Sequence, residues 1–178
     1  MKVILLLIAT ILLIYLVKRQ IILFEWAELE SVPCYFKEDT EPFRDLEDNL
    51  VYDLRFLQNY STKLFFTGQY EKADNLYDLI QKRKVGLRLL TYQGDTKMRL
   101  KDTSMAINFY QKAVFMVPNR FTIKSKLMEI YLSKKDTSEA QKWARSILDS
   151  DVKVRSPDTD TLRLRVQTLF PNLSKLSF

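Results

Sequence analysis

The residues best suited to acid–base or metal chemistry are missing or scattered. The chain of 178 residues has no histidine, which removes the usual general base and the commonest metal ligand. Its one cysteine, Cys34, cannot close an intrachain disulfide or build a Cys-type zinc site. Gly68, Gly86 and Gly94 lie too far apart to form a phosphate-cradling loop. Two carboxylate pairs remain, Asp149 with Asp151 and Asp158 with Asp160. Each stands at i and i+2 near an expected helix end, where capping and solvation place acids in any case. These residue types predict no catalytic group, no cofactor and no metal site, so the chain is expected to act through surfaces that larger elements build.

The first such element is apolar. Residues 3–17 carry only two side-chain hydroxyls, Thr10 and Tyr15; Lys18, Arg19 and Gln20 interrupt, and 21–24 resume the apolar run. About 20 apolar residues cross the hydrocarbon of a bilayer. Residues 3–24 meet that requirement if Lys18 and Arg19 snorkel toward the headgroups, with Tyr15 and Trp26 of the types found near interfaces. A cleaved signal peptide needs small residues after its apolar core, and Lys-Arg-Gln-Ile-Ile-Leu-Phe supplies none, so an uncleaved single-pass anchor is expected. The flanking basic residues favour a cytoplasmic C-terminal part. A short tail before a first span favours export instead.

Charge is partitioned along the chain. Within the formal net of +6, residues 20–60 hold ten acids and three bases, whereas 61–178 hold twenty-two bases and twelve acids. An acidic stretch thus precedes a basic one. Solvated helix faces account for such a pattern, and so does a surface for anionic partners. No nucleic-acid-binding motif accompanies the charge, and nucleic acid is not expected as a partner.

From about Leu50 onward apolar residues recur at spacings of three and four, which predicts helices. A repeat of 33 to 34 residues runs through them. Ala73, Tyr77 and Ile80 in the first copy correspond to Ala106, Tyr110 and Ala113 in the second, with Pro118 following, and to Ala140, Ala144 and Ile147 in the third. The alanines let a second helix approach the first closely, the tyrosine fills the gap one turn on, and Pro118 stops the helix so that Asn119 can cap the next. Ser61, Gly94 and Met128 hold the middle of the first helix in each copy.

This pattern resembles the tetratricopeptide repeat, a helix-turn-helix unit. It implies an all-α solenoid of three copies, at 54–86, 87–120 and 121–154, with a capping helix over Asp158 to Phe170 and a tail to residue 178. The acidic segment 25–53 is expected to be a degenerate earlier unit in which Pro33 and Pro42 break the helices. Trp143 is left undecided between packed and exposed.

A closer resemblance lies in Tyr110-Gln111-Lys112-Ala113-Val114-Phe115-Met116-Val117-Pro118-Asn119-Arg120-Phe121, followed after a helix by Asp149-Ser150-Asp151-Val152-Lys153-Val154-Arg155-Ser156. These runs resemble the C-terminal repeat tail of bacterial O-antigen ligase or polymerase-like membrane proteins, with Asp151 in place of a proline and Arg155 in place of a glutamate. The polytopic glycan-transferring part has no counterpart, so no catalytic residue is carried over. The resemblance implies a bacterial inner-membrane location, with the periplasmic side slightly preferred for the repeats. It also implies an accessory or detached tail of a surface-polysaccharide system, with an anionic glycan or a glycan-assembly enzyme as partner.

The first function expected is that of a membrane-anchored scaffold for protein–protein interaction. Repeat arrays offer a groove lined by the first helix of each pair. The register assigns Asn59, Lys63, Gln93, Lys97, Lys101, Lys124 and Lys126 to that groove, and their basic bias suits an acidic peptide.

Overall fold

The computed structural model describes residues 2–31, 40–150 and 156–173, and every regular element among them is a helix. Pro33, Cys34, Asp151 and Arg155, singled out above, lie outside the described residues. The chain divides into two compact units, residues 1–80 and 81–178.

The first unit holds α1 (Lys2–Ser31), α2 (Glu41–Leu50), α3 (Leu54–Phe66) and α4 (Tyr70–Gln81), the last reaching the boundary. α1 is long and apolar enough to cross a membrane. Its side chains are exposed from residue 2 to residue 21, and the helix becomes part of a core only at Trp26, which is 3% exposed. There Trp26 meets Phe43 of α2 and Phe56 of α3 edge-on, at ring-centroid distances of 6.3 and 5.4 Å, and Phe43 stacks on Tyr60 at 5.7 Å. Such aromatic pairs add roughly 0.5–1.5 kcal/mol each beyond the area they bury.

Pro42 does not break α2; it sits in the first turn. At that position the missing N–H has no intrahelical partner to lose and the fixed φ suits a helix, so the proline starts the element. The α3–α4 junction is a tight turn at Gly68, whose φ of +78° favours glycine. Around it Thr67 N–H donates to Lys63 O at 3.0 Å and Gln69 N–H to Leu64 O at 2.9 Å.

The second unit holds α5 (Leu87–Arg99), α6 (Thr103–Met116), α7 (Phe121–Ser133), α8 (Thr137–Leu148) and α9 (Pro157–Leu169). α5 packs with α6, α7 with α8, α6 with α7, and α9 closes on α7 and α8. This is helical-repeat packing ended by a cap. Leu90, Ala106, Tyr110, Ala113 and Leu127 centre one buried cluster, and Met128, Ala140, Ala144, Ile147 and Val166 a second; half-buried Trp143 packs against both.

The turns α5–α6 and α7–α8 repeat the geometry of the Gly68 turn with lysine at the left-handed position, Lys101 at φ 62° and Lys135 at φ 60°. The next residue is an aspartate that caps the following helix: Asp102 accepts from Met105 N–H and Asp136 from Glu139 N–H, each at 3.1 Å. Asn119 is exposed and does not cap α7; the N-cap position belongs to Arg120, whose side chain makes no capping bond. α6 ends before Pro118, with Val117 N–H donating to Ala113 O at 3.1 Å. α9 opens on a reciprocal capping box between Ser156 and Thr159.

Candidate interaction surface

The residues at the repeat spacing lie inside the helix pairs. Ala73, Ala106, Ala113 and Ala140 have no exposed surface, and Tyr77 and Tyr110 are buried. Tyr77 donates from its hydroxyl to Ser61 O at 3.2 Å. Tyr110 lies across Gly94 so closely that a Cβ there would meet its ring carbons at 2.5 Å. Pro118 is exposed.

The residues assigned to a groove separate into inward and outward sets. Lys63, Gln93 and Lys124 are buried. Their places are inside the helix packing because the inward stripe of each first helix is wide enough to take a polar residue where a neighbouring element offers a partner. Gln93 Nε2 donates to Gln81 Oε1 at 2.7 Å, and Lys124 Nζ donates to Ser146 O at 3.0 Å and Ser150 Oγ at 2.5 Å. Burial holds the Lys124 ammonium below its ordinary pKa, with Asp149 acting against that shift. Asn59, Lys97 and Lys126 are half-buried, and Lys101 is exposed.

Two charged links cross the face formed by α5, α7 and α9. Asp95 Oδ1 accepts from the Tyr110 hydroxyl at 2.5 Å and forms an ion pair with Lys126, whose ammonium lies 5.5 Å from the Tyr110 ring centroid. Farther along, Glu129 pairs with Arg165 at 2.8 Å. Arg163 ties α9 to the end of α8 by donating to Leu148 O at 3.1 Å and Ser150 O at 2.5 Å. Lys126 and Lys124 therefore brace helices.

The outward signal that the spacing analysis passed over is apolar. Phe115, at the end of α6, is 89% exposed, and Met116 beside it is exposed as well. An exposed apolar pair of this kind offers a surface that a partner can cover. The repeat pattern could have pointed to it, since Phe115 falls two residues past the buried Ala113 and off the inward face. Asp158 and Asp160 occupy the first turn of α9, where they suit the helix dipole. No group of three or more potential metal ligands occurs among the described residues.

A family model described as ChAPs (Chs5p-Arf1p-binding proteins) matches residues 62–155, more than half of the chain and everything from within α3 through α8. No curated protein matches the sequence. The family match overturns the resemblance to tetratricopeptide-repeat tails of O-antigen ligase-like proteins. Of the two runs that carried that resemblance, Tyr110 to Phe121 ends one helix, passes through Pro118 and starts the next, a junction common between helices, and residues 151–155 of the other lie outside the described residues. The bacterial inner-membrane location rested on the same resemblance and falls with it.

Proposed function

The chain belongs to the ChAPs family (Chs5p-Arf1p-binding proteins), and from that membership we propose that it is a non-catalytic adaptor holding protein partners on its helical repeats. The observation that carries this reading is the family match over 62–155, which takes in α4 to α8 whole. The family is described by what its members bind, and Chs5p and Arf1p are the partners to try first. The exposed pair Phe115 and Met116 lies within the matched stretch and supplies the kind of aromatic anchor on which protein interfaces concentrate their affinity. Lys97 and Lys101 serve as polar contacts beside it, and an acidic partner suits the basic balance of 61–178.

α1 adds a membrane anchor to this adaptor, with 3–24 in the bilayer. In support, the apolar stretch and the core residue Trp26 belong to one continuous helix. The test is alkaline carbonate extraction of membranes from cells making the full chain. Retention in the pellet is expected, and release into the supernatant contradicts the anchor. For the adaptor, full chain purified in detergent should bind Chs5p or Arf1p saturably; failure with both contradicts it.

A further inference from the structure

Lys18 and Arg19 are the only charged residues between Lys2 and Glu25, and they interrupt the apolar run of α1. The face of α1 that carries Tyr15, Lys18, Arg19 and Ile22 lines an open cleft of about 520 Å³, bounded on its other side by Asn49 and the largely exposed Tyr52 of the α2–α3 turn. All of these residues belong to the first unit. That volume is within the range of small-ligand sites, roughly 300–1,000 Å³. Among the described residues neither cation has an ion-pair partner. Asp53, the carboxylate at the cavity wall, is committed to capping α3 through bonds from Arg55 N–H at 2.8 Å and Phe56 N–H at 3.1 Å.

We propose that this cavity binds the headgroup of an anionic phospholipid. The reading rests on α1 being a membrane anchor. With 3–24 in the bilayer, Lys18 and Arg19 lie within about two turns of its end and snorkel toward the headgroups, and about 1.5 Å of rise per residue places Trp26 and the core it enters roughly 12 Å beyond Lys18. The cavity then opens where headgroup phosphates are. Two cations, a phenol on each wall and the Asn49 amide match a phosphate diester, while Ile22 suits the first carbons of an acyl chain. A phosphate there also offsets the mutual repulsion of the adjacent cations.

The test uses the full chain in detergent micelles, with native mass spectrometry counting bound lipid. Dioctanoyl phosphatidylserine should bind saturably at one copy per chain, with dioctanoyl phosphatidylcholine much weaker. K18Q/R19Q should weaken phosphatidylserine binding about tenfold or more, as expected for two basic groups at a lipid surface. The control K82Q/K84Q, with the same charge change elsewhere, should leave it unaltered, and melting by circular dichroism should match the parent for both variants. Equal binding of the two lipids overturns the proposal, as does full binding by K18Q/R19Q. Displacement by an equal concentration of inorganic phosphate overturns the lipid as the source. Release by alkaline carbonate would instead remove the anchor reading itself, whereas a chain retained in membranes with K18Q/R19Q silent for lipid loses only the headgroup site.

Discussion

Gly94 has no room for a methyl group, because its α-carbon lies under the Tyr110 ring and that ring is fixed by the bond from its hydroxyl to Asp95. Gly94→Ala forces the ring or the helix aside, and overpacking of this kind costs about 1–3 kcal/mol. Urea titration followed by circular dichroism should show the loss, and an unchanged midpoint would mean that the ring moves freely. The same tyrosine makes stability depend on alkaline pH. Burial first, then the bond to Asp95 and its charge, push the Tyr110 phenol far above its ordinary 10.0; burial, with Glu47 second, pushes Tyr60 up to about 12. Above pH 10 the unfolded chain has released protons that the folded chain still holds, so this contribution is complete below pH 10 and is lost as pH rises toward the folded values. Tyr110→Phe should flatten the decline in urea midpoint above pH 10, and an identical decline would show that Tyr110 is not its source.

At the scale of elements, three turns of one geometry place the helix pairs, and only one uses glycine. Lys101 and Lys135 pay the steric cost of the left-handed region that Gly68 avoids. Lys101→Gly and Lys135→Gly should each raise stability by about 0.5–1 kcal/mol, the strain relieved exceeding the entropy lost. A thermal melt displaced downward by either would contradict that balance. Asp102→Ala and Asp136→Ala should each cost about 1 kcal/mol through loss of the cap. The same elements show what could be read in advance. The alanine spacing, the helical period and the terminal helix are properties of local pattern, and α9 at Pro157–Leu169 falls where apolar periodicity placed it. The turns were not legible, because lysine carries no signal for a positive φ. The replacements of Gly94 by Ser61 and Met128 made sense only once the partner helices were known. Ser61 and Gly94 face Tyr77 and Tyr110, while Met128 shares its cluster with the small Ala144, so volume is exchanged between helices of a pair. Lys63, Gln93 and Lys124 are buried although polarity suggested exposure, and the partners of Gln93 and Lys124 come from residues distant in sequence. The family resemblance failed on a junction motif that stacked helices share by geometry.

At the scale of the molecule, the acidic 20–60 stretch and the basic 61–178 stretch divide the chain by charge, and the family match falls within the basic part. Protein binding has an exposed aromatic on a helical scaffold to act through. The adaptor reading is tested most directly by titrating the full chain in detergent with Chs5p and with Arf1p, alongside Phe115→Ala. The account predicts saturable binding of at least one of the two, weakened about tenfold by Phe115→Ala as for the loss of an aromatic anchor, with the melting temperature unaltered. Saturable binding of neither protein, or binding that Phe115→Ala leaves untouched, would contradict it.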